Sequence, residues 1–400
     1  SDSATKPSFS QIKSRCHFIF YKSTTSGLMD FLRSLKIGAS CIPWRFLEWL
    51  GSTDGKAKIQ YVVEKTQWAI HWEGQAIRNS LEKMYPGIMD VTPLPNRIMG
   101  ASKVVHFGSQ YMWESWARHL TAKNYYVASF FHGKPEDSPA TARHIDHFLN
   151  LSPKLSKIVV SCTLVYDRLR KLGVNESKLE KIPIGVDTEV FRPATTEKRF
   201  QIRQEIGVSD DTVVIGTFQK DGQGWGRGNM PKYIKGPDVF LSVVEKLARE
   251  FPLHIMLTGP ARGYIKNGLE AARIPYTHRY LETPQELANL YSALDFYLIT
   301  SREEGGPKGL MESMASGIPV VSTAVGMAPD LIEDRVNGFM VDAEDVDGLA
   351  ESALDLRSLS GTALSKMTSI ARKNVAVCDV TNVAVQHWEK VYQPILDEAK

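Results

Sequence analysis

The feature that most limits what this chain can fold into is a series of short apolar runs separated by stretches with helical spacing. The runs fall at 58–63 (KIQYVV), 89–92, 103–107 (KVVHF), 125–131 (YYVASFF), 158–161 and 181–184. They resume at 212–218 (TVVIGTF), 253–258 (LHIMLT), 295–300 (DFYLIT) and 319–322 (PVVS). Helical spacing fills 73–84, 237–250, 284–291 and 346–356, and the terminal stretch 382–399 reads the same way. Near-continuous apolar runs of this length suit strands buried on both faces. Their alternation with helices implies a parallel, doubly wound α/β sheet. A chain of 400 residues exceeds one ordinary core, so two domains are expected.

Composition narrows the function classes. A net charge of +3 is close to balance and carries no concentrated basic run of the kind that binds nucleic acid. Cys16, Cys41, Cys162 and Cys378 are scattered, with no zinc-type spacing. Free thiols fit a reduced, cytoplasmic setting. No leader-like segment and no run long enough to span a bilayer is read from the sequence. The segment 31–50 (FLRSLKIGASCIPWRFLEWL) mixes cations, tryptophans and aliphatics. One reading is peripheral contact at the inner membrane surface. The other is a set of helices packed on the domain or on a partner chain. Gly38 and Pro43 interrupt any long amphipathic helix, which favours packing.

The chemistry concentrates at 301–317, SREEGGPKGLMESMASG. The apolar run at 295–300 reads as a buried strand. After it, Leu310, Met311, Met314 and Ala315 recur at helical spacing. Gly305 and Gly306 permit a tight turn with close backbone approach. Pro307 suits the first turn of a helix. The unpaired N–H groups there, through Lys308, favour an anion. Glu304 and Glu312 bracket the turn, and a separation slightly over two helical turns returns Glu312 toward the face of Glu304. Carboxylates accept hydroxyl hydrogens well. An anion-binding turn flanked by two such carboxylates suits a sugar attached to a nucleoside diphosphate.

Glu304-x7-Glu312 followed by MASGIPVVST resembles the signature of retaining glycosyltransferases of the GT-B fold, family four. The resemblance implies two Rossmann-like doubly wound domains facing across a cleft. It divides the chain into an N-terminal extension (1–57), an acceptor domain (58–191), a nucleotide-sugar donor domain (192–381) and a last helix (382–400) crossing back to the first domain. The segment KIPIGVDTEVFRP at 181–193 resembles the passage between the domains, with a hinge at 192–207. The resemblance further implies that Glu304 contacts the donor sugar and Glu312 the ribose hydroxyls. Gly305, Gly306, Pro307 and Lys308 lie along the donor.

Three residues end strands of the first domain, where doubly wound sheets bind ligands: His106, His132 and Ser161. In the family a histidine at the place of His132 faces the donor sugar and phosphate. The position of His106 more often shapes the cleft. The Gly-rich loop 219–236 (QKDGQGWGRGNMPKYIKG) carries Lys220, Arg227, Lys232 and Lys235. Related enzymes hold the diphosphate with a basic residue after this strand and a lysine before the next helix. Lys220 and Lys235 occupy those places. The region of Gly259, with a strand near 279–281, would line the base pocket.

The resemblance implies a metal-independent transfer with retention, from a UDP- or GDP-type nucleotide sugar to a carbohydrate, lipid-linked or other hydroxyl acceptor. No cofactor beyond the nucleotide sugar is expected. Asp345 and Asp347 formally make a DxD metal motif but precede a helix, where Asp serves as a cap. The same fold also serves sugar-nucleotide epimerases, phosphorylases and non-catalytic partner proteins.

Overall fold

The computed structural model describes residues 31–52, 55, 57–65 and 69–398. Cys16 and the short apolar stretch at 17–21 (HFIFY), which also reads as a strand, lie outside them. The first domain runs α1 (31–49), β1 (Ile59–Val62), α2 (Ala69–Met84), β2 (Met89–Thr92), β3 (Val104–Phe107), α3 (Gln110–Trp116), β4 (Tyr125–Phe130), α4 (Pro139–Leu151), β5 (Lys157–Val160), α5 (Thr163–Lys171) and β6 (Leu179–Lys181). The second runs α6 (Thr196–Glu205), β7 (Val213–Thr217), α7 (Pro237–Leu247), β8 (Leu253–Thr258), α8 (Gly263–Ala271), β9 (Tyr276–Arg279), α9 (Pro284–Tyr291), β10 (Phe296–Ile299), α10 (Lys308–Ala315), β11 (Val320–Thr323), α11 (Ala328–Leu331), β12 (Phe339–Val341), α12 (Val346–Ser358) and α13 (Gly361–Val375). Helix α14 (Val380–His387), a π-turn at Trp388–Tyr392 and α15 (Gln393–Glu398) close the chain.

Each domain holds one six-stranded sheet, ordered β2-β1-β3-β4-β5-β6 and β12-β11-β10-β7-β8-β9. All strand pairs are parallel. This is the doubly wound α/β architecture expected from the alternation of runs. The strand order reverses between β1 and β3 in one sheet and between β7 and β10 in the other. Crevices for ligands open at such reversals, beyond the carboxyl ends of the strands. The strand read at 279–281 is β9, which ends where that reading began. Only Lys181 of the run 181–184 pairs in β6.

The chain crosses between the domains twice, side by side. Val186 N–H donates to the Cys378 carbonyl at 2.8 Å, and Val380 N–H to the Val186 carbonyl at 3.1 Å. After the second crossing, Val383, Ala384, Val391, Tyr392 and Ile395 pack with Ile59, Tyr61 and Val127 under the first sheet. A second apolar cluster forms behind the other sheet, and a third runs through the junction past Phe191, Tyr291 and Cys378.

Segment 31–50 departs from its reading as broken helices. Helix α1 is continuous through Gly38 and Pro43. Propensity disfavours this by about 1 kcal/mol for the glycine and about 3 for the proline. Docking along the whole length outweighs it. Ser34 Oγ lies 3.1 Å from His119 Nε2, Asn96 donates to the Ser40 carbonyl at 3.1 Å, and Glu48 accepts the Gly100 N–H at 2.9 Å. The Arg97 guanidinium sits 4.9 Å from the Trp44 ring centre. The face turned away from the domain leaves Leu35, Ile42, Phe46 and Trp49 exposed. No helix among the described residues is long and apolar enough to cross a membrane.

Candidate active site between the two sheets

A cavity of about 500 Å3 lies between the carboxyl ends of the two sheets. His132, Lys220, Lys235, Glu304, Gly305, Gly306, Pro307, Lys308 and Glu312 all line it. The chain thus brings together every residue that the resemblance assigns to catalysis or donor binding except Gly259, which is not among the lining residues; nor are His106, Ser161 and Arg227. Gly259 follows β8, and its carbonyl faces His278 Nε2 at 2.7 Å.

Strand β10 ends at Ile299, and its extension carries the carboxylates. Glu304 Oε1 lies 2.5 Å from Lys235 Nζ and 2.9 Å from Ser301 Oγ. Lys235 reaches it because the Gly236 turn sits against β10. A Cβ there would stand 1.8 Å from the Thr300 carbonyl oxygen, and its φ of 62° is left-handed. Gly305 likewise has no room for a side chain, since a Cβ would meet the Phe131 carbonyl at 2.5 Å across the cleft. Its own carbonyl accepts the Ser161 hydroxyl at 2.7 Å. That contact is where the structure places Ser161. Pro307 occupies the cap position just before α10, not its first turn.

Glu312 sits one face along α10 and accepts the Tyr291 hydroxyl at 2.9 Å. Burial pushes its carboxyl pKa up, while Lys308 and the Tyr291 hydroxyl oppose the rise. Burial also pushes Lys220 down, and for Lys232 burial and the adjacent Lys235 do the same. Such a site gains when an anion enters among the ammonium groups. His132 is held down to about 4, first by burial and then by Lys235, so the ring is neutral at neutral pH. His106 belongs to the core instead. Its ring nitrogens meet Tyr392 OH at 2.8 Å and Ser129 Oγ at 2.9 Å, and it is fully buried. Asp345 caps α12 by accepting the Gly348 N–H at 2.8 Å, and Asp347 pairs with Lys246.

The family model described as Glycosyl transferases group 1 matches residues 226–358, from the middle of the Gly-rich loop to the end of α12. Among curated relatives, the D-inositol 3-phosphate glycosyltransferase of Corynebacterium diphtheriae is 30% identical over 190 residues, 45% of this chain and 42% of that protein. The GDP-mannose-dependent monoacylated alpha-(1-6)-phosphatidylinositol monomannoside mannosyltransferase of Corynebacterium glutamicum is 30% identical over 44% of this chain and 46% of its own. The chain spans less than half the length of these relatives. Among solved structures, Anabaena Alr3699/HepE in complex with UDP and glucose aligns with a TM-score of 0.68 at 16% identity, over 84% of this chain and 99% of that one. Sucrose-phosphate synthase from Thermosynechococcus elongatus aligns at 0.67 and 14% identity, over 86% and 100%. The chain has the GT-B fold of these structures, and its residues 226–358 match the group 1 glycosyl transferases.

Several residues of this cleft have no role assigned from the sequence. Lys232 lines the cavity beside Lys235. Lys220 Nζ lies 4.4 Å from the ring centre of Trp225, at the tip of the Gly-rich loop. Glu303, adjacent to Glu304, turns to the other domain. It pairs with Arg168 at 2.5 Å and Lys134 at 3.2 Å, and accepts the Gly133 N–H at 3.3 Å. Burial alone would raise its pKa, but these two cations and the N–H hold it below the usual carboxylate range. Gln110 fixes the neighbouring strand end by donating to the His132 carbonyl at 3.0 Å and accepting the Phe131 N–H at 3.3 Å. The doublet of glutamates in SREEGG is the one local signal that a second carboxylate stood there. Its partners, far away in the chain, leave none.

Proposed function

We propose that the protein transfers a sugar from a nucleoside diphosphate sugar to an acceptor hydroxyl, with retention and without a metal ion. The observation that carries this reading is the convergence of Glu304 and Glu312 with Lys220, Lys232, Lys235 and Lys308 in one interdomain cavity. Carboxylates suit the hydroxyls of the sugar and ribose, and ammonium groups suit the diphosphate. The bond from the anomeric carbon to the phosphate oxygen breaks, and a bond to the acceptor oxygen forms on the same face. The acceptor proton passes to the departing phosphate. Negative charge grows on the diphosphate, where the lysines and the N-terminus of α10 stabilise it. These groups do the charge work that a metal ion does elsewhere. His132 enters this scheme as a neutral hydrogen-bonding group.

Epimerisation and phosphorolysis on the same fold are separated from transfer by one assay. Nucleoside diphosphate is released only when an acceptor is present if the reaction is transfer. Thermal denaturation with UDP, GDP and their sugars tests the donor side, since a ligand bound to the native state alone raises the melting temperature. Absence of a shift with every nucleotide overturns the reading.

Two outcomes follow for the donor site. Glu312→Ala weakens donor binding by roughly ten- to a hundredfold, because hydrogen bonds to charged groups contribute about 1.5–3 kcal/mol. Titration calorimetry reads this, and unchanged affinity removes Glu312 from the site. Addition of EDTA leaves the transfer rate within about twofold. Activity that collapses and returns with manganese or magnesium overturns the metal-independent scheme.

A further inference from the structure

The two walls of the cleft differ in charge. Lys220, Lys232, Lys235 and Lys308 all come from the second domain. Among the described lining residues, the first-domain wall has no lysine or arginine and carries Glu64 and Glu73. Two first-domain cations next to this wall, Lys134 and Arg168, both pair with Glu303.

That wall also holds polar atoms with no assigned work. Ser109 follows β3 at the reversal of strand order, in the cap position of α3, yet its hydroxyl caps no backbone N–H. Its Oγ is buried without a hydrogen-bond partner, and the residue is 2% exposed. An unpaired buried hydroxyl costs free energy unless a ligand completes it. Glu73 uses Oε1 to accept the Gly185 N–H at 2.8 Å, while Oε2 accepts no hydrogen bond and lies 3.7 Å from Lys308 Nζ. Two glycines bring these residues to one floor. A Cβ on Gly108 would stand 2.7 Å from Ile70 of α2, and one on Gly74 2.7 Å from Tyr61 of β1. Without side chains there, α2 settles onto the ends of β1 and β3 beside Ser109.

Tyr111 supplies a flat apolar surface at the same place. It is 50% exposed. Its ring stacks on His144 with centres 4.2 Å apart and planes 14° apart, and Glu114 holds that histidine at 2.7 Å. The ring is therefore fixed before anything binds.

Resting on the transferase reading, we propose that this wall is an acceptor subsite for an uncharged sugar or cyclitol ring. Ser109 and Glu73 meet its hydroxyls and Tyr111 its apolar face. A phosphorylated acceptor would place its charge against Glu64 and against Glu73, whose nearby cation Lys308 would be shared with the donor diphosphate, while Lys220, Lys232 and Lys235 come from the opposite wall. The acceptor thus differs in charge from the inositol phosphate named for the Corynebacterium diphtheriae relative.

The test pairs rings with and without phosphate. UDP, GDP and ADP are first screened for binding, and the matching glucose or mannose donor is then incubated with methyl glucoside, methyl mannoside or myo-inositol. The same incubations use glucose 6-phosphate, mannose 6-phosphate or inositol 3-phosphate. Nucleotide release rises at least about tenfold over background with a neutral ring and not with its phosphorylated counterpart. Ser109→Ala and Glu73→Gln each raise the acceptor KM about tenfold, with the donor KM within about twofold. Preference for the phosphorylated ring overturns the subsite, as does the failure of every neutral ring in protein that binds its donor. Unchanged acceptor KM in both variants overturns it too. If no nucleotide binds, the transferase reading itself fails and the subsite with it.

Discussion

Lys235→Ala lowers kcat by on the order of a hundredfold while raising the donor KM much less. The ammonium lies 2.5 Å from Glu304 and lines the cavity with three other lysines. It pairs with Glu304 and offsets that carboxylate's charge. In the proposed transfer it faces a diphosphate whose charge grows as the glycosidic bond breaks, and it would then bind the transition state more tightly than the ground state. Removal also leaves Glu304, which is 6% exposed, without its cation. Lys220→Ala acts in the same direction with a smaller effect. Its ammonium rests over the Trp225 ring and must leave it to reach the anion. Because both act on one diphosphate, the double variant loses less than the sum of the two free-energy costs. Steady-state kinetics on both singles and the double decide the matter. Strict additivity would mean separate anions, and a change in KM alone would make the lysines plain binding residues.

The legible part of this site was the local part. Glu304, the glycine turn, Lys308 and Glu312 fall within one strand–turn–helix unit, where residue spacing and backbone geometry fix the arrangement together. Lys235 was legible for the same reason, standing one residue before the Gly236 turn that opens α7. What escaped depends on contacts made far apart in sequence. Arg168 reaches Glu303 over 135 positions and Gly185 reaches Glu73 over 112. Neither partner lies in a pattern that periodicity or spacing could single out. His106 shows the converse. It lies one residue before the end of β3, as His132 lies two beyond the end of β4, yet the π-turn near the end of the chain supplies Tyr392 and turns it into a core residue. Helix α1 failed as a broken segment because its docking contacts outweigh the local cost of Gly38 and Pro43, and those contacts come from residues 96–119. The sheets themselves were readable because their central strands, such as β3, β7, β10 and β11, are buried on both faces, a pattern that needs no knowledge of neighbours.

Asp221→Ala destabilises the protein by about 3–5 kcal/mol, the expected cost of leaving a buried charge without its partner. Asp221 and Arg262 are both fully buried, and the guanidinium meets the carboxylate at 3.0 Å and 3.1 Å. Arg262 also donates at 2.9 Å to the carbonyls of Thr217 and Thr258, the last residues of β7 and β8. The Gly-rich loop is tied to the same point. Lys232 N–H donates to the Asp221 carbonyl at 2.6 Å, and Gly263 N–H to the Arg227 carbonyl at 2.8 Å. Loss of the pair therefore loosens the base of the loop that carries Lys220 and Lys232, so kcat falls together with stability. The melting temperature drops by on the order of 10 °C. Asp221→Asn keeps the shape and one acceptor and falls less. The double variant Asp221→Leu with Arg262→Met removes both charges and destabilises less than Asp221→Ala alone, since an apolar pair leaves no orphaned ion. Thermal denaturation of the three variants reads the order directly. A double variant less stable than Asp221→Ala would mean that the guanidinium's hydrogen bonds to the two strand ends, and not its ion pair, hold this part of the fold.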